Sequence, residues 1–70
     1  MKTEHMKTGQ VIAGPDGYRW RVKSVERKLE PHAICLAMQP ELFGASYMTA
    51  VFSESQLLKF TLESEPESDG

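Results

Sequence analysis

The sequence predicts a mainly β fold, a small five-stranded antiparallel barrel with a one-turn helix before the last strand. Three local patterns lead to it. Tyr18-Arg19-Trp20-Arg21-Val22-Lys23 alternates apolar and basic side chains through six positions, the period of a strand with one buried face. Gly14-Pro15-Asp16-Gly17, just before it, has turn chemistry: proline presets the backbone at the second position and glycine accepts a positive φ at the last. Ser53-Glu54-Ser55-Gln56 has capping-box spacing, with a hydroxyl and an amide side chain three residues apart, each placed to satisfy a backbone N–H at a helix start.

At 70 residues the chain holds one domain. Eight Lys+Arg against ten Asp+Glu give a net charge of −2, so no global basic excess recruits nucleic acid or an anionic membrane. Hydrophobic residues at 40% and charged residues at 26% fit an ordinary globular chain and argue against full disorder. A core of this size supplies only about 3–5 kcal/mol. Disulfides cannot add to it within one chain, because Cys35 is the one cysteine, and Cys35, His5 and His32 fall short of a four-ligand zinc site. Self-association is therefore expected to contribute. No stretch reaches the roughly 18 apolar residues of a membrane span. The polar N-terminus lacks the apolar centre of a signal peptide, and a cytoplasmic location, with no membrane, is the expectation.

Residues 1–8 lack periodicity and read as a flexible N-terminal arm, leaving a β domain over residues 9–62. Residues 63–70 hold four acids, one proline and no apolar side chain, and read as a disordered acidic tail. Without that tail, eight bases face six acids. Gln10-Val11-Ile12-Ala13 forms the first strand. In the second, Tyr18, Trp20 and Val22 face inward; the alternation fails at Ser24-Val25, which predicts a β-bulge or strong twist before Glu26-Arg27-Lys28. Glu30-Pro31 makes a turn, because proline lacks an N–H and biases the preceding residue away from α geometry. A third strand follows over His32–Met38. Gln39–Gly44 reads as a turn or single helical turn, and Tyr47–Phe52 as the fourth strand. A helix from Glu54 to about Leu58 then leads to a last strand, Lys59-Phe60-Thr61-Leu62; a longer helix is the alternative, since Leu58 and Leu62 lie four apart.

Gly9-x-Val11-Ile12, Gly17-x-x-Trp20-x-Val22-x-x-Val25 and Leu57-Leu58-x-Phe60 together resemble the SH3-like barrels of small bacterial and bacteriophage proteins. The resemblance covers roughly residues 9–62 at the level of fold. It implies a barrel and suits a bacteriophage or mobile-element accessory protein. Fold alone transfers no activity.

Catalytic chemistry finds no support in the pattern. His32 and Cys35 are three apart on a strand and project from opposite faces. There is no phosphate-binding glycine loop and no nucleophile elbow, so neither an enzyme nor a cofactor is expected. Two features remain. Arg19, Arg21 and Lys23 share one strand face, with Arg27 and Lys28 behind them; this row is the candidate nucleic-acid-binding surface, and also what keeps a strand face solvated. Tyr18 and Trp20 alternate away from it, which removes the stacking partners of a sheet-based single-strand binder. The acidic tail is a candidate to lie across the row.

The third and fourth strands are apolar on both faces, whereas a monomeric barrel has one interior. Ala33, Cys35 and Ala37 beside Met48, Ala50 and Phe52, or Tyr47 and Val51 in the opposite register, form a candidate partner-binding patch unless Leu42 and Phe43 cover it. The function expected is a non-enzymatic protein-interaction module that binds a host protein or a second copy of itself. The alternative is a small nucleic-acid-binding barrel.

Overall fold

A computed structural model of the chain describes residues 1–38 and 48–66. Five strands form one antiparallel sheet: β1 (Val11–Ala13), β2 (Arg19–Glu26), β3 (His32–Ala37), β4 (Thr49–Ser53) and β5 (Thr61–Ser64), with the short helix α1 (Glu54–Leu57) before the last. The sheet order is β4-β3-β2-β1-β5, so β4 and β5 are its edges and no ladder joins them among the described residues. The mainly β class and the helix before the last strand agree with the sequence reading. Gln39–Gly44, Tyr47, Leu42 and Phe43 lie outside the described residues.

The turn between β1 and β2 closes as its residues dictate. Gly17 N donates to Gly14 O at 3.0 Å, Asp16 Oδ1 accepts from Tyr18 N at 3.0 Å, and Gly17 takes φ +90°. The expected irregularity in β2 falls between Val22 and Ser24, where Lys23 is the extra residue. Past it the strand resumes with Val25 opposite Ala33 on the core side. At α1 both halves of the capping box form: Gln56 N donates to Ser53 Oγ, and Ser53 N donates to Gln56 Oε1 at 2.9 Å.

The core joins Met6, Ile12, Trp20, Val22, Ala33, Cys35, Leu57 and Phe60. Phe52 bridges two of its rings, edge-on to Trp20 with centroids 5.0 Å apart and tilted on Phe60 at 4.8 Å. Tyr18, expected inward with Trp20 and Val22, lies outside β2 and is exposed.

The flexible arm over residues 1–8 gives way to a docked segment. Thr3–His5 form one 3-10 turn, Thr3 and Met6 are buried, and Met6 belongs to the core. Arg27 holds this segment by donating from Nε to Thr3 O at 3.1 Å and from Nη2 to Met6 O. Glu54 receives Thr3 N at 2.9 Å and the Thr3 hydroxyl at 2.8 Å. The polar run gives no periodic sign of this because the segment is anchored by hydrogen bonds to distant residues, with Met6 in the core and Met1 packed against it.

At the other end the strand and tail boundary shifts. β5 runs Thr61–Ser64 and so includes Glu63 and Ser64, paired to β1 with a register shift between Val11 and Ile12. Backbone pairing tolerates acidic side chains on an edge. Glu65 then accepts from the buried Gln10 Nε2 at 3.1 Å. Residues 67–70 of the acidic tail lie outside the described residues.

Candidate interaction surfaces

Opposite registers across the sheet fix which side chains share a face. Trp20, Val22, Ala33, Cys35, Ala50 and Phe52 lie on the core side. The other side carries Arg21 opposite Leu36 and Thr49, then Ser24 opposite Ile34 and Val51, then Glu26 opposite His32 and Ser53. His32 and Cys35 therefore do project from opposite faces. The His32 ring donates from Nδ1 to Glu30 O at 2.6 Å, while Cys35 is wholly buried.

This geometry corrects the apolar patch expected from the sequence. Ala33 and Cys35 are 0% exposed, and Ala37, Met48, Ala50 and Phe52 pack against the core. Size decides the facing. Trp20, Phe52 and Phe60 fill the interior, and only small side chains on β3 leave room for them at native density. The larger residues of β3, Ile34 and Leu36, are displaced to the outer face, where both are half-buried. Val51 beside them is 61% exposed. The sequence signal for this was the alternative register that put Val51 outward.

The basic row divides. Arg19 and Arg21 lie exposed on the outer face, and Lys23 is exposed at the bulge. Arg21 Nη1 also donates to Gly9 O at 3.2 Å, which steadies its side chain. Arg27 leaves the row, since its guanidinium is spent on the N-terminal segment. Lys28 sits beyond the strand end, its backbone N–H bound to Glu26 Oε2 at 3.1 Å. The outer face thus carries Arg19 and Arg21 near Leu36, with Lys23 exposed at the bulge and Trp20 and Phe52 on the other side of the sheet.

A third surface has no counterpart in the sequence reading. An open groove of about 490 Å³ lies between the β1–β2 turn and α1, with Phe52 and Phe60 in its lining and Asp16, Gln56 and Lys59 around them. Its parts are 40 residues apart in sequence between Asp16 and Gln56, and no local period links them. The turn's Gly14 packs on the Phe60 ring: a Cβ there would meet Phe60 Cζ at 3.2 Å.

Burial pushes the Cys35 thiol up to about 11, so it is a protonated packing group. Among the described residues no three His, Cys, Asp or Glu side chains gather where they could hold a metal ion. No helix among them is long and apolar enough to cross a membrane. Comparison with protein-family models, with curated proteins and with solved structures finds no match for this chain.

Proposed function

We propose that the chain is a non-enzymatic protein-interaction module that engages its partner through β4 and the adjoining outer face of β3. One observation carries this reading: Val51, on an edge strand, is 61% exposed beside Ile34 and Leu36. Exposed branched side chains on an open strand edge offer apolar area and backbone hydrogen bonds to one partner. A role as a bacteriophage or mobile-element accessory protein that binds a host protein belongs to the same proposal and rests on the SH3-like resemblance.

Nucleic-acid binding through Arg19, Arg21 and Lys23 is the second reading, supported by the exposure of all three. It is the weaker of the two, because the Trp20, Phe52 and Phe60 rings lie across the sheet from the bases and Arg27 is already engaged.

The test is capture of proteins from a lysate of the source cells, with and without nuclease, by the full chain, by Val51→Lys and by Arg21→Glu. A stoichiometric protein that survives nuclease and moderate salt, is lost on Val51→Lys and is kept on Arg21→Glu is the expected result. Capture that vanishes with nuclease and with Arg21→Glu would transfer the function to the basic row.

A further inference from the structure

The two edges of the sheet are built differently. β5 carries Glu63, and Glu65-Pro66 follows it, so acids and a proline guard that edge. From Met48 to Ser53, by contrast, there is no charge, no proline and no glycine. Two copies meeting at β5 would bring like acids together; two meeting at β4 would bring none.

Hydrogen-bond direction sharpens the contrast. Ala37 N donates to Met48 O at 2.8 Å, which makes that opposed pair a bonded one. Pairs alternate along an antiparallel ladder, so Ala50 and Phe52 also turn their backbone groups toward β3, while Thr49, Val51 and Ser53 turn theirs to the open edge. Ser53 N is already satisfied by Gln56 Oε1 at 2.9 Å. Among the described residues, the groups left for a partner strand are the N–H and C=O of Thr49 and Val51.

We propose that two copies of this chain pair antiparallel along β4, about a two-fold axis at Ala50, joining their sheets into one. This register sets each Thr49 opposite the other copy's Val51 and forms four hydrogen bonds from those two residues alone. It leaves Ser53 in its capping box, whereas an axis at Val51 would need Ser53 N. On the outer face Leu36, Thr49, and the second copy's Val51 and Ile34 fall in one line, which covers the most exposed apolar side chain of the strand. On the inner face Met48 meets the second copy's Phe52, a favourable sulfur–aromatic pair. A five-residue strand buries far less than the about 800 Å² per partner of a tight interface, so the dimer is weak and concentration-dependent.

Sedimentation of the full chain over increasing concentration tests this, with Val51→Pro, Val51→Lys and Arg21→Glu alongside. Because the Val51 N–H points away from β3, proline there removes no bond within the fold and blocks only the edge. The wild-type mass is expected to rise from 7.9 kDa toward twice that value, and Arg21→Glu to follow it. Val51→Pro and Val51→Lys stay at the monomer mass with unchanged circular dichroism, and in the wild type amide exchange at Thr49 and Val51 slows as concentration rises. If Val51→Pro fails to fold, Val51→Lys decides alone. A wild type that stays monomeric up to about 1 mM, well into the range of weak association, or a dimer untouched at Val51, overturns the proposal. The inference rests on the interaction-module reading, yet the two fail separately: a monomer that still captures a partner through Val51 ends self-pairing and keeps the module.

Discussion

Thr3 and Glu54 lie fifty-one positions apart and are joined through both the backbone N–H and the hydroxyl of Thr3, at 2.9 and 2.8 Å from the Glu54 carboxylate. This contact fastens the N-terminal segment to the start of α1 and so keeps Met6 in the core. Arg27 closes the same segment from β2's end.

The contact makes the fold sensitive to acid. The Glu54 carboxyl is held below its ordinary value, first by the Thr3 backbone N–H, then by the Thr3 hydroxyl, with Lys2 nearby adding to the effect. A carboxylate lowered on folding stabilises the native state above its unfolded pKa, and that contribution is lost as pH falls through the lower folded value. Wild type should therefore exceed Glu54→Gln in urea midpoint at pH 7, and the gap should close below the unfolded value of about 4.3. A gap that persists unchanged at pH 3 would refute the role of the charge.

Two glycines separate backbone strain from contact. Gly9 and Gly17 both hold positive φ, at +96° and +90°, but a Cβ at Gly9 would sit 3.0 Å from Pro66 Cβ while one at Gly17 meets nothing within 4 Å. Gly17→Ala should cost about 1–2 kcal/mol from conformation alone. Gly9→Ala should cost more, because Pro66 must also move, and Pro66→Gly should bring the two losses together. Urea denaturation of Gly9→Ala and Gly17→Ala, each alone and combined with Pro66→Gly, against wild type and Pro66→Gly gives the comparison; equal losses in the Pro66-containing pair would show that Pro66 is not held there.

Cys35 provides a probe of opening. Its thiol is wholly buried and pushed up to about 11. Reaction with a disulfide reagent at pH 8 should be at least about 100-fold slower in the native chain than in urea, and set by opening of the core. Labelling as fast as in urea would contradict the position of β3 in the interior.

Legibility of the fold followed the range of the interactions involved. The β1–β2 turn, the alternation Trp20–Arg21–Val22, the bulge at Lys23 and the capping box are each specified by neighbours in sequence, and each could be read there. The facing of β3 could not, since both of its sides are apolar and period-2 reading says nothing about which is inward. Volume settled it: Ala33 and Cys35 are small enough to lie under Trp20 and Phe52. The docked N-terminal segment was equally hidden, because its partners Arg27 and Glu54 are remote and its two core-contacting side chains, Met1 and Met6, stand isolated in a polar run. Of the candidate surfaces, Arg19, Arg21 and Lys23 are exposed, as alternation along one strand implies, Ala33 and Cys35 turn inward for reasons of volume, and the groove near Phe60 leaves no local trace.

Neighbours on β4 give the sharpest contrast in stability. Val51 points outward and Phe52 packs against Trp20 and Phe60, so adjacent substitutions act on different properties. Phe52→Asp places a charge among aromatic rings, and its loss should exceed the about 3–5 kcal/mol of a Phe→Ala truncation, comparable to the whole stability of a domain this small. The chain should unfold, with Trp20 emission shifting red. Trp20→Ala should cost about 3–5 kcal/mol by the same reasoning. Val51→Lys should stay within about 0.5 kcal/mol of wild type, since it lengthens an exposed side chain on an edge strand that tolerates lysine. Thermal denaturation of Val51→Lys and Phe52→Asp decides between this facing and its opposite: were Phe52 the outward residue, the order of the two would invert.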